Sequence, residues 1–218
     1  MKNIIFIAPP AAGKGTQAKL VSVEYNIPHI STGDLLREEM AKCSEIGISI
    51  KKDMDAGNLV SDEVITTLLK NRITSSDCIN GYILDGYPRN LAQAKIYNNL
   101  LEELNLDKGV VIFFDIDKDI ALKRTLSRVV CQNCGSSYNL QVEELKPRKE
   151  NICDRCNNEL KTRTDDTEEV FIHRFDTYLN STKELIEYYN NLGLLHEIEV
   201  SDKSAETIFK EVKEILND

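Results

Sequence analysis

No stretch of this sequence approaches the ~18 consecutive apolar residues of a membrane-spanning helix. The run after Lys2, Ile4-Ile5-Phe6-Ile7-Ala8, is also shorter than the ~7–15-residue core of a secretory signal, and Pro9-Pro10 ends it. A cytoplasmic protein with no membrane partner is therefore expected. Positive charge is scarce as well. Lysine and arginine number 27 against 36 aspartates and glutamates, for a net charge of −9, which argues against a broad nucleic-acid footprint. Any anion site must then be local and built from a few placed cations. Only nine arginines are present, so their positions carry information. From Cys131 to about Leu160 large apolar residues are few and Tyr138 is the one aromatic, too little for a core and too little for a base-stacking surface. What remains is ample for folding: 218 residues, 41% hydrophobic and 29% charged, enough for one core domain with insertions.

Ile4–Ile7 reads as a buried parallel strand, a short apolar run bounded by turn residues. A helix is expected from Gly13 to Tyr25 and a short strand over Ile27–Ile30. Ser31-Thr32-Gly33-Asp34 has the look of a helix start and runs into LLREEMAK. Ser61-Asp62-Glu63 opens another helix with acids in its first turn. Gly81–Arg89 is strand-like and then turns, and Gly109–Ile116 is the clearest buried strand. Ile120–Val129 reads as helix. Val170–Tyr189 carries apolar residues at helical spacing. Leu194–Val200 alternates as a last strand, and Ile208, Val212, Ile215 and Leu216 mark a closing amphipathic helix. Strands alternating with helices predict an α/β parallel sheet.

Two motifs carry chemistry. In APPAAGKGTQ a strand, a small-residue turn and a helix meet at Gly13-Lys14-Gly15-Thr16. Backbone N–H groups and a helix N-terminus at one point attract phosphate, and Lys14 adds a full charge. Ala8 stands where the usual pattern has its first glycine. Ala11 stands where a loop residue of positive φ is expected, at a cost on the order of 1 kcal/mol for alanine. The second motif is Cys131-x₂-Cys134-x₁₈-Cys153-x₂-Cys156, the pattern of a four-thiolate structural zinc site. A pair of disulfides is the competing reading, disfavoured in a reducing compartment. Such a metal would tie a segment with little core of its own into one flap.

APPAAGKGTQ, STGDLLRE, GNLVSDE, LDGYPRN-x-x-Q, KRTLSR and TRTDDTEE follow one another in this order. As a series they resemble adenylate kinase of the long-lid type over nearly the whole chain. Ala8, Ala11 and Val129 depart from that pattern, and the lid lacks an Asn-Pro-Pro stretch. The resemblance implies a P-loop NTPase-like parallel sheet flanked by helices. It also implies a core of residues 1–30, 61–128 and 167–218, a helical AMP-binding insertion over 31–60 and a zinc-binding lid over 129–166. It implies Mg²⁺-dependent, reversible conversion of ATP and AMP into two ADP by a monomer.

The same resemblance assigns roles. Ala11, Ala12, Gly13, Lys14, Gly15 and Thr16 would cradle the ATP phosphates. Ser137 and Tyr138 would help cover ATP, and the backbone near Lys203 would touch its adenine. Thr32, Arg37, Asn58, Leu59, Val60, Gly86, Tyr87, Pro88, Arg89 and Gln93 would line the AMP site, with Gln93 on the adenine and Arg37 and Arg89 on phosphate. Arg124 and Arg128 would also bind ATP, Arg163 and Arg174 would also bind AMP, and all four, with Lys14 and Arg89, would meet the transferring phosphoryl group. Asp85 would orient Mg²⁺ through water. Those arginines are six of the nine. Arg124 and Arg128, four apart on one expected helix, should point the same way. Alternatives are a kinase for another nucleoside monophosphate, a zinc-ribbon nucleic-acid module, and a relative that binds nucleotides without turning them over.

Overall fold

β1 (Ile4–Ile7) is buried along its whole length, and its alternating side chains divide the core in two. Ile4 and Phe6 point into one cluster and Ile5 and Ile7 into the other, as the two-residue period of a strand requires. A computed structural model gives this arrangement for residues 3–42, 44–55, 60–163 and 166–217. β1 lies at the centre of a five-stranded parallel sheet with β2 (His29–Ser31), β3 (Ile83–Asp85), β4 (Val110–Asp115) and the late strand Leu195–Glu199. The order runs β2, β3, β1, β4 and then that late strand. One face is covered by α1 (Lys14–Tyr25), α6 (Lys118–Leu126), the start of α7 (Glu168–Asn191) and α8 (Ala205–Asn217). The other is covered by α4 (Asp62–Ile73), α5 (Leu91–Glu103) and the end of α7. Among the described residues no helix is long and apolar enough to cross a membrane.

Two appendages leave this sheet. α2 (Thr32–Ala41) and α3 (Glu45–Asp55) pack on each other around Leu36, Ile50 and Val60. Their backbones approach so closely that a Cβ at Gly47 would lie 2.4 Å from the Glu39 carbonyl oxygen. The other appendage is a three-stranded antiparallel sheet of β5 (Arg128–Cys131), β6 (Ser137–Asn139) and β7 (Leu160–Lys161), with β5 central. With these numbered, the late strand of the large sheet is β8.

The helix expected through Val129 stops sooner. α6 ends at Leu126, and Ser127 turns its hydroxyl back onto the Lys123 carbonyl at 2.7 Å. The β-branched pair Val129-Val130 then belongs to β5, where its side chains suit a pleated surface better than a helix. Arg124 and Arg128 therefore stand on different elements and share no helical face. The strand expected over Ile27–Ile30 starts two residues later and ends one residue later, at His29–Ser31.

Among the described residues, seven of the eight α-helices begin with a serine, threonine, asparagine or aspartate whose side chain accepts a backbone N–H of the first turn. Ser31, Ser61, Asn90, Asp117 and Thr167 do this for α2, α4, α5, α6 and α7. Ser44 and Ser204 do it for α3 and α8. Each such cap stabilises its helix by about 1 kcal/mol. α1 is the exception: it begins after Gly13 with no side-chain cap.

Candidate active site

The uncapped start of α1 lies at the end of β1 where the sheet's strands finish. Its first N–H groups lack the side-chain acceptor found on every other helix, so this end can take an anion. Gly13 makes the turn at φ 87°, and Ala11 sits at φ 62°. The positive φ expected at Ala11 is present. Thr16 and Gln17 donate their N–H groups to the Gly13 carbonyl at 2.9 and 3.1 Å, closing the loop onto the helix, and Ala12 is buried beneath it.

Lys14 Nζ lies 3.0 Å from Asp85 Oδ1, and His29 Nε2 lies 3.0 Å from Asp85 Oδ2. Burial alone would raise the Asp85 carboxyl, but the His29 hydrogen bond and the Lys14 charge outweigh it and hold the group at about 2. An ionised carboxylate beside a phosphate loop is the donor type that Mg²⁺ takes, directly or through water. His29 was not legible as a site residue. It appears in sequence only as a lone histidine in a short strand, and its role comes from lying two strand positions before Ser31, which pairs in register with Asp85.

The turn after Asp85 leads into a second group of residues. Thr32 Oγ1 and Arg89 Nε both donate to the Gly86 carbonyl, at 3.1 and 2.9 Å. Gly86 has φ 86°, and a Cβ there would come within 3.0 Å of Thr32 Oγ1. Tyr87 and Pro88 are buried and joined by a cis peptide bond. The Tyr87 hydroxyl donates to the Gln93 carbonyl at 3.3 Å. Gln93 is buried; its Oε1 accepts from the Arg89 N–H at 2.8 Å, and its Nε2 donates to Asp62 Oδ1 at 2.7 Å. Arg37 is exposed and paired with Asp34. Val60 packs under α2 and α3, while Asn58 and Leu59 lie outside the described residues.

Arg124 donates to the carbonyls of Val200 and Ser201 at 3.1 and 2.9 Å. It lines a cleft of about 430 Å³ with Lys203 on one side and Gln141 and Val142, in the turn that follows β6, on the other. Lys203 itself pairs with Glu211 at 2.7 Å. Arg128 forms a two-pronged ion pair with the buried Asp166. Arg163 is exposed beyond β7, and Arg174 is exposed in the second turn of α7. Ser137 is exposed on β6. Tyr138 turns inward instead: its hydroxyl lies 3.4 Å from Cys153 Sγ and accepts the Asp154 N–H at 2.8 Å.

Those sulfurs form the third group. The Sγ atoms of Cys131, Cys134, Cys153 and Cys156 all lie within 4.8 Å of one another. Two separations are 3.3 and 3.5 Å, well beyond the ~2.05 Å of a disulfide. They are close to the ~3.8 Å between ligands of a tetrahedral ion with ~2.3 Å metal–sulfur bonds. The thiols are free, and the donor set is the one zinc prefers. Cys131 and Cys153 are buried with Val129 and Leu160, the small core this segment has.

A family model described as adenylate kinase matches residues 6–194 of the chain. An adenylate kinase of Archaeoglobus fulgidus is 45% identical over 214 residues, covering 98% of this chain and 97% of that protein. Those of a Geobacillus species and of Thermosipho melanesiensis are 39% and 41% identical over the same length, covering 98% of this chain and 98% and 99% of theirs. A parallel sheet ending in a phosphate loop, the run of six motifs along it and relatives matching from end to end agree: the chain belongs to the adenylate kinase family.

Proposed function

We propose that the residues around the Asp85-Gly86 turn form two adjoining nucleotide sites and pass a phosphoryl group between them. Family membership makes the chain a nucleoside monophosphate kinase, and the reaction is the reversible transfer of the ATP γ-phosphoryl group to AMP, giving two ADP and balancing the adenine nucleotides. One observation carries the assignment of residues. Asp85 touches Lys14 of the phosphate loop, and the next residue, Gly86, holds Thr32 and Arg89. A single turn therefore links donor and acceptor sides.

In this reading Ala11 to Thr16 bind the ATP phosphates, and the cleft between Arg124, Lys203 and the turn after β6 takes its adenosine. Thr32, Arg37, the segment Asn58 to Val60, and Gly86 to Arg89 with Gln93 take AMP. Mg²⁺, when bound with ATP, neutralises charge on its phosphates, and Asp85 is the carboxylate to orient it. Phosphoryl transfer has a loose transition state with charge spread over oxygens, so positioning and cations suffice. Lys14, Arg89, Arg124, Arg128, Arg163 and Arg174 supply the cations, and no general base is needed. The exposure of Arg163 and Arg174 supports closure of the lid, 129–166, and of the flap, 31–60, over the core. Closure gathers charge and excludes water that would otherwise accept the phosphoryl group. Zinc in the four-cysteine cluster serves the lid's rigidity; four thiolates leave no open position for substrate. The chain acts in this account as a monomer.

The test is a coupled assay with ATP, AMP and Mg²⁺. ADP should form only when both nucleotides are present, and Lys14→Met should lower kcat/KM by about 10²–10³-fold in a protein with unchanged circular dichroism. ADP release from ATP alone at the same rate, or a Lys14→Met variant of normal activity, would remove the assignment.

A further inference from the structure

Gln93 is held at both ends by partners that cannot change roles. Its Oε1 accepts from the Arg89 backbone N–H at 2.8 Å, and its Nε2 donates to Asp62 Oδ1 at 2.7 Å. A backbone N–H only donates, and a carboxylate only accepts, so the amide has one permitted orientation. Turning it over would set two N–H groups against each other at Arg89 and two oxygens at Asp62. Asp62 is itself fixed, because it is the first residue of α4 directly after the Ser61 cap. Gln93 is also fixed from below, its own N–H donating to the Asn90 side chain at 2.9 Å.

After these bonds the amide retains one acceptor lone pair and one N–H. That pair matches a 6-aminopurine, whose N6 donates and whose N1 accepts. A 6-oxopurine presents the opposite pattern: O6 accepts and N1–H donates. It could satisfy Gln93 only with the amide reversed. We propose that Asp62 is a specificity-determining residue of the monophosphate site, which selects 6-amino over 6-oxo purines by locking the Gln93 amide. The proposal rests on the reading of Gln93 as the base contact of that site. Asp62 acts through Gln93 and is a positioning residue. A mispaired buried polar contact is enough for roughly a tenfold or greater preference, and sites that leave such groups unpaired discriminate strongly.

The experiment compares AMP with inosine monophosphate, which differs at the C6 substituent and N1 protonation alone. Specificity constants are measured at saturating Mg·ATP, and dissociation constants by calorimetry, for the wild type, Asp62→Asn, Asp62→Ala and Glu63→Gln. Asparagine keeps the shape of Asp62 but can also donate, so it removes the penalty for the reversed amide at that end and leaves only the Arg89 N–H opposing it; alanine removes that partner altogether. Both should narrow the AMP preference by about tenfold or more with the KM for ATP unchanged. Glu63→Gln removes an exposed acid from the same helical turn and should leave the preference as it is. Folded Asp62 variants with the wild-type AMP-to-inosine preference overturn the lock alone. A wild type that takes both nucleotides equally overturns the base-contact reading and the lock with it.

Discussion

Asp85 is the residue on which the site's electrostatics turn. Its carboxyl titrates at about 2, because His29 and Lys14 overcome the opposing effect of burial. An ordinary aspartate titrates near ~3.9. The folded value is depressed, so the ionised group stabilises the fold above the unfolded value, and this contribution disappears as pH falls through about 2. A shift of that size corresponds to about 2.5 kcal/mol. Urea melts of the wild type and Asp85→Asn should therefore differ by about that amount at pH 7, and the curves should converge as pH drops from 5 toward 2. A gap constant across that range would mean the ion pairs contribute nothing to folding. At this scale the sequence was informative where a residue's chemistry depends on its neighbours in the chain. The positive φ of Ala11 follows from its place in a phosphate loop. His29 could not be found that way, since its partner Asp85 lies 56 residues on and only the parallel pairing of β2 with β3 brings them together. The contact of the Tyr138 hydroxyl with Cys153 is likewise not legible in the chain, because it joins residues 15 positions apart.

Among the elements, the short buried strands were legible because turn residues bound each apolar run. α3 was not. Its sequence EIGISIKKDMD spaces Ile46, Ile48 and Ile50 by two, a strand-like pattern, yet only Ile50 is buried while Ile46 and Ile48 are exposed. The helix forms because Ser44 caps it and Gly47 lets it approach α2, tertiary features that override local preference. The early end of α6 has a similar origin: pairing with β6 and β7 claims Arg128 to Cys131 for a sheet. That small sheet has a core of four buried residues, two of them cysteines, so its order should depend on metal. Treatment with a strong chelator should speed amide exchange across β5, β6 and β7, while β1 and β4 stay protected. Cys153→Ser should do the same without chelator. Equal protection of the small sheet with and without metal would show that hydrogen bonding alone maintains it.

For the whole molecule the important contact joins the two ends of the segment that carries the small sheet. Asp166 is fully buried and Arg128 partly so. Removing one partner of a buried pair leaves the other charged and unsolvated, at about 3–5 kcal/mol. Arg128→Met should therefore lower unfolding free energy by about that much in urea, and adding Asp166→Asn should restore part of it. A small effect in the single variant would mean water reaches the carboxylate. Closure has its own readout. The radius of gyration from solution scattering should fall when a Mg-bound, non-hydrolysable ATP analogue and AMP are added together. An unchanged radius would leave Arg163 and Arg174 outside the reaction.

The same pair has an evolutionary corollary. The chain departs for the small sheet at Arg128 and returns at Asp166, and these two positions clasp each other. To the rest of the molecule the intervening residues are a cassette with both plugs in one socket. A shorter or metal-free module could be transplanted there without disturbing the parallel sheet, provided the clasp is kept.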